Sequence, residues 1–295
     1  YYQGRLILNP ELYKYCIAEP QHCNVYEPKN FLGIPINVYT DHLPFGKYIF
    51  AFAFLINDSL FSARFLILLF GAALLIVTFF MIKRFYNEKI AIVSVLLIVI
   101  SVPFTRTSTS IFPDLPMTLF GMLSIFFYYL GFKSEKRQLL YLLLGGLFAG
   151  LAILTKEVAL IILLPIIYMF YRLALNIKFN IRKEFSIDVN LKNKKIAGYF
   201  FASLFVILLV GILIFNLISL NLYGFFPLER ILGYQAGTKS FGSNINLIGF
   251  FGSLNAVVPL LPLFLLGVGY FLIRRRAEDM IIFLTFLVFA FVYFT

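Results

Sequence analysis

Eight charged or titratable residues lie near the predicted outer ends of apolar segments, where together they could act on a negatively charged group. They are Asp41, His42, Lys47, Arg64, Arg106, Asp114, Lys156 and Glu157. A charge at the centre of a bilayer costs roughly 2.5–3.5 kcal/mol on insertion scales. Basic residues are also disfavoured on the outer side of a membrane, so each outer cation needs a reason. We therefore consider a shared anion site at the outer membrane surface.

Each of these residues also has a purely structural interpretation. Lys156 and Glu157 would suit a solvated turn between two helices. Arg106 and Asp114 bracket a hydroxyl-rich turn, where they could simply pair. Asp114 directly follows Pro113 at a predicted helix start, where a carboxylate stabilises the free backbone N–H groups of the first turn. The sequence leaves these alternatives open.

The composition identifies the elements that must position these residues. Hydrophobic residues make up 61% of the 295-residue chain and charged residues 13%, against about 45–50% and about 25% in soluble domains. A bilayer core requires about 20 apolar residues per helix. We predict an all-α, polytopic membrane helix bundle whose spans lie near 61–82, 90–105, 113–132, 138–155, 157–175, 196–221, 247–273 and 280–295.

The basic residues between these spans give the orientation. Successive connections hold three, one, three, one, seven, two and three Lys or Arg residues. This alternation follows the positive-inside rule at every step. It places the basic 176–195 loop in the cytoplasm and residues 1–60 outside. The formal net charge of +11 is thus explained by membrane orientation, and no nucleic-acid partner is predicted.

The chain divides into two predicted regions. Residues 1–60 form an extracytoplasmic loop whose apolar stretch from Tyr48 to Ile56 is too short to span and suits an interfacial helix. Residues 61–295 form a bundle of about eight helices. Because the chain starts at a Tyr without a signal peptide and stops inside an apolar run, we expect a fragment truncated at both ends.

Several other functions are disfavoured. No Walker loop, GxSxG or HExxH motif occurs. Asp41, His42 and Asp114 could ligate a divalent metal, but three scattered ligands are weak support and no cofactor is firmly predicted. A transporter or lipid flippase is the main alternative, but the polar midplane positions and related halves of such proteins are not seen. A non-catalytic scaffold would leave the outer cations unexplained.

Four short stretches resemble one family. Residues 42–47, His-Leu-Pro-Phe-Gly-Lys, resemble the His-Pro-Pro-Leu-Gly-Lys stretch of protein O-mannosyltransferases, with Leu43 in place of the first Pro. Ser62-Ala63-Arg64 is similar to the opening of that family's next helix. Arg106 followed by Pro113-Asp114 resembles its Arg and Asp loop, and residues 150–156 are similar to its Gly-Leu-Ala-x-Leu-Thr-Lys helix end. The resemblance covers about residues 1–175 and points to the GT-C membrane glycosyltransferases, which include the aminoarabinose transferases.

The resemblance implies an activity and roles for the residues. Such enzymes move a sugar from a polyprenyl-phosphate carrier to a protein, lipid or glycan hydroxyl on the extracytoplasmic face, and some use a divalent metal. A carboxylate acts as general base and cations hold the phosphate. The family's acidic pair would lie upstream of Tyr1, which leaves Asp41 and Asp114 as catalytic candidates here. The implied phosphate ligands are His42, Lys47, Arg106 and Lys156, with Arg64 and Glu157 in support.

Overall fold

The structure is a computed structural model that describes residues 45–57, 59–180, 186–191, 194–214, 269 and 278–285. Asp41 and His42 lie outside the described residues. So do the predicted span at 247–273, apart from residue 269, and parts of those at 196–221 and 280–295.

The first two helices lie where the sequence predicts an interfacial helix and a span. Helix α1 runs over Phe45–Ile56 and α2 over Leu60–Phe85. The Ser59 hydroxyl caps α2 by accepting from the Ser62 N–H at 3.3 Å, which satisfies a backbone donor that the helix itself leaves free. Lys83 and Arg84 lie in its last turn, where cations interact favourably with the helix dipole.

The predicted span at 90–105 is divided into two helices. Helix α3 covers Glu88–Val99 and α4 covers Val102–Thr109. Pro103 explains the break, because its ring removes a backbone donor and is tolerated only in a helix's first turn. The hydroxyl-rich turn predicted between Arg106 and Asp114 is wrong over its first part, because α4 includes Arg106 and continues to Thr109.

The next two helices match their predicted spans closely. Helix α5 covers Asp114–Lys133 and α6 covers Gln138–Thr155. The chain then returns through a 3₁₀ segment, Glu157–Ile162, helix α7, Leu163–Met169, and a π-helical turn, Phe170–Ala174. Together these three short pieces occupy the predicted span at 157–175.

The predicted basic loop at 176–195 has regular structure that the sequence interpretation missed. Strands β1, Leu175–Asn180, and β2, Ser186–Leu191, pair antiparallel with Leu175 opposite Leu191. Apolar and polar residues alternate along both strands, and this period of two is typical of β-structure. Helix α8, Lys194–Leu208, follows and continues as a π-helical segment, Leu209–Ile214. A last described helix, α9, covers 278–285.

Four of the described helices are long and apolar enough to cross a bilayer: Leu60–Phe85, Asp114–Lys133, Gln138–Thr155 and Lys194–Gly211. Three of them, α2, α6 and α8, carry exposed Phe, Leu or Ile side chains on their outer faces, as expected of helices that face lipid rather than water. The apolar side chains of α5 are buried or half-buried. The prediction of an all-α, polytopic membrane bundle is confirmed. The β1–β2 hairpin is an addition to a connection between helices.

Close helix packing and aromatic rings form the core. The α-carbon of Gly146 lies so near the Ser203 carbonyl that an added Cβ would overlap it, which brings α6 and α8 into backbone contact, as small residues do in membrane helices. The Phe170 and Phe200 rings stack at 4.2 Å. The Tyr128 and Ser203 hydroxyls bond at 2.9 Å, so the buried polar groups of this seam have partners.

Candidate active site

Two of the predicted site residues form an ion pair at one end of the bundle. Lys156 Nζ lies 2.9 Å from Asp114 Oδ1, and the two side chains are only 14% and 27% exposed. Asp114 is the first residue of α5, and Lys156 directly follows α6. The pair therefore ties the start of one span to the end of its neighbour.

The backbone fixes the position of Lys156. Helix α6 ends at Thr155, and Lys156 is extended, with φ −155° and ψ 127°. Its N–H still donates to the Ala152 carbonyl at 3.1 Å. Thr155 is fully buried and donates its hydroxyl to the Leu151 carbonyl at 2.7 Å. Lys156 thus leaves a well-anchored helix end rather than a mobile turn.

Helix α1 packs against the same place. An ideal Cβ on Gly46 would lie 2.8 Å from the Pro113 Cβ and 3.4 Å from the Thr155 carbonyl oxygen. Only a residue without a Cβ allows this approach. Three separate stretches, around Gly46, Pro113-Asp114 and Thr155-Lys156, therefore meet at one end of the bundle. Lys47 is the next residue along α1, and its side chain is not described.

The two arginines of the predicted site belong to α2 and α4, whereas the ion pair belongs to α5 and the end of α6. Arg106 is in α4, whose Phe104 and Ser108 pack near Gly71 of α2. Arg106 is exposed, and so is Arg64 in the first turns of α2. Among the described residues, neither arginine forms an ion pair or side-chain hydrogen bond with Asp114 or Lys156.

The structure does not describe the side chains of the remaining predicted site residues. Glu157 begins the 3₁₀ segment after Lys156, and its side chain is not described. Asp41 and His42 lie outside the described residues. Within the described residues, no group of three His, Cys, Asp or Glu side chains is placed to hold a metal ion. The possible metal site thus has support only from the sequence.

Sequence reasoning missed a polar cluster at the opposite end of the bundle. Glu278 accepts from the Tyr129 hydroxyl at 3.2 Å and pairs with Lys133 at 3.4 Å. Asp279 is fully buried and accepts from the Tyr86 hydroxyl. The sequence did contain a feature that could have predicted this cluster, because the two adjacent carboxylates are unusual in a chain with only 14 acidic residues.

The chemistry of the Asp114–Lys156 end follows from its donors. A lysine ammonium has three N–H donors, of which one is directed to Asp114, so two remain for a further acceptor. A partly buried cation held by a carboxylate is preorganised for a second anion, because little reorientation is needed when the anion arrives. Asp114 also offsets the charge of Lys156, so net attraction for a phosphate requires additional cations nearby.

The fold and this site define a polytopic membrane protein with a charged site at one end of its helices. Residues 41–186 match the family described as dolichyl-phosphate-mannose-protein mannosyltransferase. The matched region contains α1, Asp114, Lys156 and the elements between them. The chain belongs to this family and is a membrane glycosyltransferase of the GT-C class. No curated protein and no solved structure matches it.

Proposed function

We propose that the enzyme transfers a sugar from a polyprenyl-phosphate carrier to a hydroxyl of a protein, lipid or glycan on the extracytoplasmic membrane face. The observation that carries this proposal is the meeting of Gly46, Pro113-Asp114 and Thr155-Lys156 at one end of the bundle. These are parts of three stretches that resemble the family. Their joint position is what a single donor-binding site requires.

In this proposal the cations stabilise the departing lipid phosphate. Transfer breaks the bond between the anomeric carbon and the phosphate oxygen, so negative charge develops on the phosphate as the sugar leaves. Fixed cations lower the free energy of that transition state. Lys156 takes the central position and Arg106 contributes from α4. Lys47 and His42, which belong to the sequence stretch at 42–47, are the further phosphate ligands. Arg64 and Glu157 support this surface.

The acceptor hydroxyl must lose a proton as it attacks, which requires a carboxylate base. Asp114 is already engaged by Lys156 at 2.9 Å, so we assign it chiefly to positioning that lysine. Asp41, five residues before Gly46, is the better catalytic candidate of the two. A variant of Asp41 should lose sugar transfer but still bind the donor, whereas a variant of Asp114 should bind the donor more weakly.

The experiment is a transfer assay on the full protein with a radiolabelled polyprenyl-phosphate mannose and an acceptor peptide or glycan. We expect Lys156→Gln, Lys47→Ala and Arg106→Ala each to lower kcat/KM by about 10²-fold, the loss typical of one preorganised group at a developing charge. Lys136→Ala is the matched control, because Lys136 is an exposed cation at the opposite end. Its activity should be unchanged.

Two outcomes would overturn the proposal. Normal turnover in both Lys156→Gln and Lys47→Ala would remove the phosphate-binding role. Loss of turnover in Lys136→Ala to the same extent would show that any loss of basic charge is damaging, whatever its position. Thermal unfolding of every variant separates an effect on chemistry from an effect on folding.

A further inference from the structure

A groove between α2 and α5 lies far along the bundle from the Asp114–Lys156 pair. It has a volume of about 500 Å³, within the ~300–1,000 Å³ range of ligand pockets. Its walls are Val77, Phe80, Leu123, Phe126 and Phe127. Such walls offer contact to a hydrocarbon chain and almost no hydrogen bonds.

Two cations lie at one end of this groove. Lys83 and Arg84 are part of its lining and belong to the last turn of α2. Both are exposed. Lys83 Nζ is paired with Glu88 at 2.8 Å. Arg84 has no carboxylate partner among the described residues, so its guanidinium is available to an external anion.

The helix directions show which end of the bundle this is. Phe70 lies beside Phe120, and Phe85 lies beside Tyr129, so α2 and α5 run in the same direction. Asp114 begins α5, whereas Lys83 and Arg84 end α2. The groove is therefore in the half of the bundle opposite the candidate active site, on the side that the charge pattern predicts to be cytoplasmic.

We propose that this groove binds an anionic glycerophospholipid of the membrane leaflet on that side, with an acyl chain along the aromatic wall and the phosphate on Arg84. Apolar walls ending in basic residues between membrane helices match the chemistry of such a lipid. A guanidinium can bind a phosphate through two parallel hydrogen bonds. The site is separate from the proposed donor site and does not depend on the proposed function.

The test is native mass spectrometry of the full protein in mixed micelles with equal amounts of phosphatidylglycerol and phosphatidylcholine. We expect selective retention of one phosphatidylglycerol. Arg84→Gln should weaken it about fivefold, the contribution of one basic residue near an anionic surface. Arg84→Lys should retain part of it, and Val77→Trp should reduce it by filling the groove. Lys136→Gln removes a cation at the same end but outside the groove, and should change nothing.

Several different results would contradict the phospholipid site, and each has its own meaning. Equal retention of both lipids, or unchanged retention in Arg84→Gln, would remove the site. Competition by glycerol phosphate at the same concentration would show a site for free anions. Stronger Arg84-dependent retention of a polyprenyl phosphate would make the groove a carrier site instead of a phospholipid site. If Arg84→Gln unfolds at a lower temperature than the native protein, Arg84→Lys is used in its place, because it keeps the charge.

Discussion

At the scale of single residues, the Asp114–Lys156 pair differs from a surface ion pair because of its burial. Exposed pairs contribute about 0–1 kcal/mol, since water already solvates both charges. When one member of a poorly exposed pair is removed, the other is left without its partner in a less polar environment. The pair should therefore matter for stability as well as for the site.

A double-mutant cycle tests this coupling. Asp114→Asn, Lys156→Gln and the double variant should give a coupling free energy of about 1–3 kcal/mol in detergent unfolding experiments, within the range for contacting residues. Lys83 and Glu88 are the matched control, because their charges are similarly close, at 2.8 Å, but their side chains are 45% and 60% exposed. Their coupling should stay below about 0.5 kcal/mol. Equal coupling in both pairs would contradict the role of burial.

The sequence indicated Asp114 and Lys156 as site residues, but it could not pair them. They are 42 positions apart, and their contact depends on how α5 and α6 align. Gly46 and Thr155 were visible only as members of motifs, because their role is to allow close approach rather than to do chemistry. Glu278 was missed because its partners lie on helices far away in the sequence.

At the scale of elements, the sequence was most informative where apolar runs are long. The bounds of α5 and α6 follow from the two uncharged stretches at 115–132 and 138–155. The division of α3 and α4 was missed because the apolar run was extended through Val102 and Phe104, although Pro103 favours the start of a new helix. The β1–β2 hairpin was missed because its basic residues were interpreted as a loop.

The close packing of helix α1 against Pro113 gives a prediction at the scale of elements. Gly46→Ala places a Cβ 2.8 Å from Pro113, and overpacking of this kind typically costs about 1–3 kcal/mol. We expect α1 to shift away from α5 and α6, with lower transfer activity and a lower Tm. Gly198→Ala is the control, because nothing lies within 4 Å of that Cβ. It should raise helix stability by up to about 1 kcal/mol.

These two alanine variants distinguish the effect of close packing at Gly46 from any general effect of replacing a helical glycine with alanine. Both replace a helical glycine with the same residue, so any general effect of alanine is shared. If Gly46→Ala has full activity and an unchanged Tm, α1 does not need its close approach to Pro113. The proposed convergence of the three stretches would then have no functional consequence.

At the scale of the whole molecule, Glu278 connects α9 with α5. Burial alone raises the pKa of Glu278, but its backbone hydrogen bond, Lys133 and the Tyr129 hydroxyl outweigh burial and lower the pKa below the usual 4.5. A carboxyl whose pKa is lowered by folding stabilises the protein above its unfolded-state pKa. That contribution is lost as the pH falls through the lower pKa of the folded state.

Thermal unfolding as a function of pH tests this link. The Tm of the native protein should exceed that of Glu278→Gln at pH 6–7, and the difference should shrink as the pH falls below about 4.5. Glu135→Gln is the control, because Glu135 is an exposed acidic residue near the same end. A difference in Tm that does not depend on pH would mean that Glu278 acts by packing and not by charge.

The orientation of the whole bundle is the remaining premise of the proposed function, and labelling can test it. In a protein with Cys16→Ser and Cys23→Ser, single cysteines replace the exposed residues Thr109 and Glu135. We expect a membrane-impermeant maleimide to label Thr109→Cys on intact cells, and Glu135→Cys only after permeabilisation, because the positive-inside rule places Lys-rich connections in the cytoplasm. The reverse pattern would put the Asp114–Lys156 pair on the cytoplasmic face. Sugar transfer would then have to use a donor presented from inside.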